Sequence, residues 1–97
     1  MDFSAFKETL QNSTAPVQVS VYLKALWHDA KGDWQEAHNL IENLPDKTAA
    51  RVHAYLHRKE GDQGNALYWY HRAGMKGVNT SLDTEWEDIV KDVIHST

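Results

Sequence analysis

The sequence contains no cysteine, which excludes disulfide bonds, thiolate metal sites and cysteine nucleophiles. It has no apolar run near the roughly 20 residues that a membrane-spanning helix needs. Its first ten residues lack the basic start and apolar centre of a signal peptide. Positive charge is not in excess either, since the net charge is −4, which disfavours nucleic acid as a partner. These absences predict a cytoplasmic protein with neither a membrane nor a nucleic-acid partner.

Recognisable catalytic patterns are also missing. The chain has no glycine-rich phosphate loop, no Gly-x-Ser-x-Gly elbow and no His-Glu-x-x-His motif. Carboxylates are plentiful, but no pair of them is singled out as an acid and a base, and those of the last helix are typical of a solvated face. We therefore predict a protein that is not an enzyme and that has no cofactor.

Ninety-seven residues form one small domain, predicted to span residues 1–97, with a low buried fraction. Four tryptophans and four tyrosines are many for this length, and their large buried areas can compensate for the small core. No segment alternates apolar and polar residues for long enough to form a strand. The fold class should be all-α.

Helical spacing of apolar residues, together with helix start and stop signals, divides the chain into six segments. Pro16 suits the first turn of the second helix, whereas Pro45 ends the third. Asp33 and Glu36 form a capping-box-like pair, and Gly32 and Gly61 end the helices before them. The predicted helices cover about residues 2–11, 16–31, 33–44, 47–59, 62–73 and 82–95. The residues predicted to face inward are Phe3, Phe6, Leu10, Val19, Leu23, Leu26, Trp27, Ala30, Trp34, Ala37, Leu40, Ile41, Leu44, Ala49, Val52, Tyr55, Leu56, Ala66, Leu67, Trp69, Tyr70, Ala73, Leu82, Trp86, Ile89, Val90, Val93 and Ile94.

Two parts of the chain repeat each other at a shift of 29 residues, the separation between Asp33 and Asp62. The same shift places Ala37 on Ala66, and His28 on His57. Small residues let paired helices approach closely, while large ones fill the space between them. This self-similarity predicts two antiparallel helix pairs.

The second unit resembles the second half of a tetratricopeptide repeat, through Gly61-Asp62, Ala66, Tyr70 and Ala73. Residues 66–73, ALYWYHRA, also resemble the A-x-x-W-Y-x-x-A signature of Sel1-like repeats. The Gly-Asp and Tyr-Trp-Tyr stretches are similar to those of short bacterial proteins as well, a resemblance that implies no activity. The first unit matches more loosely, and the 29-residue period is shorter than the roughly 34 residues of tetratricopeptide units. The resemblance implies helix hairpins stacked as a short right-handed superhelix of about five to six helices.

The repeat units are expected at about residues 17–45 and 46–74. A stack of repeats leaves an apolar face at each end that terminal helices must cover, and the helix at about 81–95 has that character. Its apolar stripe could instead form the seam of a homodimer, so a monomer and a homodimer both remain open.

By analogy, the resemblance implies a non-catalytic module that binds a protein or peptide partner in the concave face of its hairpins. Residues 47–76 are locally basic and the last helix is acidic. Either the last helix folds back beside this basic segment, or the segment receives an acidic peptide. An exposed Tyr68 would be a binding anchor, unless the last helix covers it. The candidate partner-binding residues are Tyr68, His71, Arg72, Arg51 and Arg58.

The alternative function is a small metal- or ligand-binding protein. His53 and His57 are four residues apart on one helix, a spacing that can hold one metal ion. His71 on the paired helix is the third candidate ligand. Histidines near the end of a helix also gain from the helix dipole, so a packing role explains the same pattern.

Overall fold

The computed structural model describes residues 1–96, and all regular secondary structure in that range is helical. The prediction of an all-α fold is therefore confirmed. A short 3₁₀ segment, Thr9–Gln11, extends the first helix. The six α-helices are α1 (Phe3–Glu8), α2 (Val21–Ala30), α3 (Trp34–Ile41), α4 (Lys47–Lys59), α5 (Gln63–Arg72) and α6 (Leu82–His95).

The start of α2 differs from the prediction. The helix begins at Val21, and Pro16 lies in the non-helical segment before it. Ser20 is the N-cap residue, because its side chain accepts a hydrogen bond of 3.3 Å from the backbone N–H of Leu23. A hydroxyl at this position satisfies an N–H that has no partner within the helix, and this signal defines the helix start better than the proline does.

The two hairpins, α2–α3 and α4–α5, have the same junction. Gly32 and Gly61 adopt φ values of 88° and 90°, a conformation that L-residues with a Cβ rarely adopt. The N–H of Asp33 donates to the His28 carbonyl at 2.8 Å, and the matching N–H of Asp62 donates to the His57 carbonyl at 2.9 Å. These bonds are those of a Schellman motif. The 29-residue repeat is thus a repeat of backbone geometry as well as of sequence.

Each junction also caps the helix that follows it. The side chains of Asp33 and Asp62 accept hydrogen bonds of 3.2 Å from the N–H groups of Glu36 and Asn65. The reciprocal half of the predicted capping box is replaced, because the Asp33 N–H already donates to a carbonyl of α2.

Helix α6 packs against α4, α2 and α1. Trp86 anchors it, because its indole N–H donates to the Leu26 carbonyl of α2 at 3.0 Å. The apolar residues of α6 join those of α1, α2, α3 and α4 in one core and cover the face formed by α2 and α4. Within residues 1–96, no helix combines the length and the apolar character that crossing a bilayer requires.

The predicted inward positions are buried or half-buried with two exceptions, Ala30 and Leu67. On α5, Ala66 and Tyr70 are spaced by four residues, and both are buried in a small cluster with Ala54 of α4. Leu67 is rotated away from that pair by the helical period, which leaves its side chain 45% exposed.

Candidate functional site

The basic residues of α4 that were candidates for partner binding contact α6. The Arg51 guanidinium lies 2.7 Å from the Asp92 carboxylate, and that of Arg58 lies 2.7 Å from Glu85. Arg58 also donates to the Thr80 carbonyl. The acidic last helix therefore lies beside this side of the basic segment.

Glu85 is a buried carboxylate that the sequence placed on a solvated face. That placement is wrong, since Glu85 is only 2% exposed. It accepts hydrogen bonds from Arg58 and from the buried Tyr70 hydroxyl. Burial, followed by the hydrogen bond to Glu85, raises the pKa of Tyr70 well above its ordinary value. The group ties α4, α5 and α6 together.

Asp29 of α2 is a second buried carboxylate. It accepts hydrogen bonds from the Tyr55 hydroxyl at 3.1 Å and from the Lys59 ammonium at 3.0 Å. Burial first, and then the charge of Asp29, raises the pKa of Tyr55. A cavity of about 360 Å³ opens beside this group, with Trp86 among its lining residues. Because Asp29 has two protein donors, the group fixes α2 to α4.

The outer side of α5 carries an exposed aromatic residue. Tyr68 is 52% exposed and is not covered by α6. Arg72 donates to the Tyr68 hydroxyl at 3.2 Å, and its guanidinium lies 5.9 Å from the Tyr68 ring and 5.2 Å from the Trp69 ring. These contacts hold Tyr68 and Arg72 in place. Leu67, Tyr68 and Arg72 together are called the α5 surface below.

A histidine cluster lies where α3, α4 and α5 meet. His53 of α4 is buried, with its ring stacked on Trp69 of α5 at 3.9 Å. Its Nε2 atom lies 3.0 Å from Nε2 of His38 on α3. The His57 ring also stacks on the His53 ring, with the two ring centroids 4.9 Å apart. One ring nitrogen from each of the three histidines lies within 4.8 Å of the others.

The composition of this cluster differs from the predicted one. His71 is exposed on α5 and does not belong to it, whereas His38 does. His38 has no counterpart in the repeat, because the 29-residue shift places it on Leu67. The sequence signal that could have indicated His38 is its position next to Ala37 and three residues before Ile41, since both of these residues are buried in the core. That pattern places His38 at the edge of the inward face, but not opposite any particular residue of α4.

Two carboxylates lie beside the cluster. A Glu60 oxygen is 2.6 Å from Nδ1 of His57, and a Glu42 oxygen is 3.1 Å from Nδ1 of His38. The Glu42 contact is not aligned as a hydrogen bond, so the buried Nδ1 of His38 lacks one. Burial, followed by the neighbouring His38 and His57, lowers the pKa of His53 to about 4. His53 is therefore a neutral imidazole at pH 7.

No family model matches the chain, and neither a curated protein nor a solved structure is significantly similar to it.

Proposed function

We propose that this chain is a short tetratricopeptide-like interaction module, and that its α5 surface binds an acidic segment of a partner protein. In this proposal α2–α3 and α4–α5 are the repeat units, and α6 is the terminal cap. The matching Schellman junctions at Gly32 and Gly61 support the repeat assignment. Since α6 occupies the face of α2 and α4, we assign binding to α5 rather than to a concave groove.

The observation that carries the proposal is the exposed pair Leu67 and Tyr68 beside Arg72. Four large hydrophobic side chains are exposed among the described residues, and two of them are these neighbours on α5. Arg and Tyr are enriched among the residues that dominate binding energy in interfaces. Because Arg72 already holds the Tyr68 ring, little side-chain freedom is lost when a partner docks.

The charge of this region supports an acidic partner. Arg51, Arg58 and Lys59 are paired with carboxylates of other helices. Lys47, Arg72 and Lys76 form no ion pair within residues 1–96. Lys47 lies close to Gly74, which directly follows the C-cap of α5. These three cations near the end of α5 would attract a segment rich in Asp and Glu.

Selection from a random peptide library displayed on phage, followed by fluorescence anisotropy with the enriched peptides, tests the proposal. We expect acidic peptides with an apolar or aromatic residue, whose binding weakens as salt is added. Replacing Tyr68 or Arg72 by alanine should weaken binding at least about tenfold. The matched control is Lys91→Ala, which removes an exposed cation from α6 and should leave the affinity unchanged.

Two outcomes would contradict the proposal. One is the absence of any enriched acidic peptide. The other is peptide binding that Arg72→Ala and Lys91→Ala weaken equally, because nonspecific attraction to any exposed cationic side chain would then explain it. Light scattering on the same samples shows whether the α5 surface instead joins two copies of the chain, in which case Tyr68→Ala would dissociate a dimer.

A further inference from the structure

We propose that His38, His53 and His57 form a binding site for a single divalent transition metal ion of the zinc class, with each histidine supplying one imidazole nitrogen. The site is independent of the proposed partner surface, because neither Tyr68 nor Arg72 belongs to it. It differs from the set suggested by the sequence in that His38 replaces His71.

The distances are those of a site that needs little rearrangement. Zinc binds imidazole nitrogens at about 2.0–2.1 Å, so two such ligands of a tetrahedral ion lie about 3.3 Å apart. Nε2 of His38 and Nε2 of His53 are 3.0 Å apart. The contributing nitrogen of His57 lies within 4.8 Å of both, so it would approach by at most about 1.5 Å to complete the tetrahedral spacing. Rotation about its side-chain bonds can supply that movement.

The ligand type also selects this class of ion. Imidazole suits zinc, copper and nickel, whereas magnesium and calcium prefer oxygen ligands. Three histidines leave one position of a tetrahedral ion for water or for a further ligand, an arrangement found in zinc sites of the three-histidine type. Hence zinc should bind, and magnesium should not.

One neighbouring carboxylate, that of Glu60, has the position that a metal-bound histidine requires. A histidine that binds a metal through one nitrogen usually donates its other N–H to a carboxylate or a carbonyl, which fixes the tautomer. Glu60 has this position, 2.6 Å from Nδ1 of His57. Glu42 lies 3.1 Å from Nδ1 of His38 but is not aligned as a hydrogen bond. A proton held at Nδ1 of His57 leaves the lone pair at its Nε2, which is the ligand atom.

The close approach of His38 and His53 is itself informative. Two ring nitrogens 3.0 Å apart must have a proton between them, because a lone pair facing a lone pair is repulsive. A divalent ion would take the place of that proton and bind both nitrogens, and the proton would move to Nδ1 of the same ring or to water.

Helix packing holds the ligands in place. His53 is fixed against Trp69, and His38 is stacked on Trp34 with ring centroids 4.9 Å apart and planes 12° apart. Trp34 is fixed in turn, because its N–H donates to the Leu56 carbonyl at 2.8 Å. The site thus joins the first hairpin to the second, through one ligand on α3 and two on α4.

The experiment is titration of the purified, untagged, metal-free protein with zinc chloride and, separately, with cobalt(II) chloride. Calorimetry should give one zinc per chain with a dissociation constant in the micromolar range or tighter, and cobalt should produce the visible absorbance of a tetrahedral ion. The variants His38→Gln, His53→Gln and His57→Gln should each weaken zinc binding at least tenfold. The matched surface control, His71→Gln, should leave zinc binding unchanged. Glu60→Gln should weaken it about 10-fold to 100-fold through the loss of ligand orientation.

Binding well below one zinc per chain would overturn the proposal, as would an affinity that His71→Gln lowers as much as His53→Gln does. NMR of the ¹⁵N-labelled wild-type protein keeps the test independent of whether the variants fold. Zinc should shift the ring nitrogens of His38, His53 and His57 while leaving those of His71 and His95 in place. Shifts spread over all the histidines would refute the site.

Discussion

Replacing Glu85 tests how α6 is held on the rest of the fold. In the Glu85→Gln variant the buried Arg58 guanidinium loses its charged partner, whose oxygen lies 2.7 Å away. The Tyr70 hydroxyl can still donate to the amide oxygen. Removing one partner of a buried pair costs about 3–5 kcal/mol when the other charge stays buried. Because glutamine retains an acceptor and the Arg58 side chain is 13% exposed, we expect Glu85→Gln to lower the free energy of unfolding by about 2–3 kcal/mol.

Glu85→Ala should lower the free energy of unfolding by more, about 4 kcal/mol, because the Tyr70 hydroxyl is then also left without an acceptor. A domain of this length has roughly 5–15 kcal/mol of stability in total, so Glu85→Ala should remove at least about a quarter of it. Urea titration followed by circular dichroism and by tryptophan fluorescence measures the free energy of unfolding.

Two comparisons make the Glu85 test decisive. Glu87→Gln removes the charge of a partly exposed acid on the same helix, whose carboxylate pairs with Lys91 at 2.6 Å. This variant should change the free energy of unfolding by less than about 0.5 kcal/mol. In a double-mutant cycle, Arg58→Met should restore part of the stability that Glu85→Gln loses. If Glu85→Gln is no more destabilising than Glu87→Gln, Glu85 does not have the buried, paired role described above.

Further predictions concern the hairpin junction and the buried tyrosines. Gly61→Ala should destabilise the fold by about 1–2 kcal/mol, because φ at this position is 90°. Gly64→Ala, within α5, should be neutral or stabilising by up to about 1 kcal/mol, because its Cβ would make only an ordinary van der Waals contact, at 3.9 Å from Asp62. Equal urea midpoints for the two variants would contradict this. The raised pKa values of Tyr55 and Tyr70 mean that both hydroxyls stay protonated in the folded protein when the unfolded chain ionises near pH 10. The contribution of these two hydroxyls to the free energy of unfolding is therefore fully present below that pH and is lost as the pH rises above it. Absorbance at 295 nm should show fewer tyrosinates at pH 11 in buffer than in urea, and equal numbers would refute the burial of these hydroxyls.

Local signals predicted the helices well where the helix ends are marked. The bounds of α4 and α6 match the prediction at both ends, because Asp46 caps the first and apolar residues mark the whole length of the second. The bounds of α2 were less accurate. Pro16 fits a helix start, but it also fits the non-helical segment that it occupies, and only the capping of Leu23 by Ser20 distinguishes the two.

The residues of the site that were missed depend on contacts between helices. Glu85 lies among acids on α6, and its burial follows from the position of Arg58 opposite it. His38 meets His53 only because of the register between α3 and α4. Periodicity within one helix defines which face is inward, but not which residue of the next helix lies opposite. His53 and His57 were found because both are on α4.

Site-directed photo-crosslinking from α5 tests the proposed function most directly. A benzoylphenylalanine placed at Leu67 keeps both Tyr68 and Arg72, and the matched control position is the exposed Asp88 on α6. In the protein's native cells we predict a crosslink from position 67 to an Asp- and Glu-rich segment of one protein. Arg72→Ala should abolish this crosslink, and position 88 should give none. Crosslinks that are equal from both positions, or that persist with Arg72→Ala, would contradict the assignment of the α5 surface as the binding site.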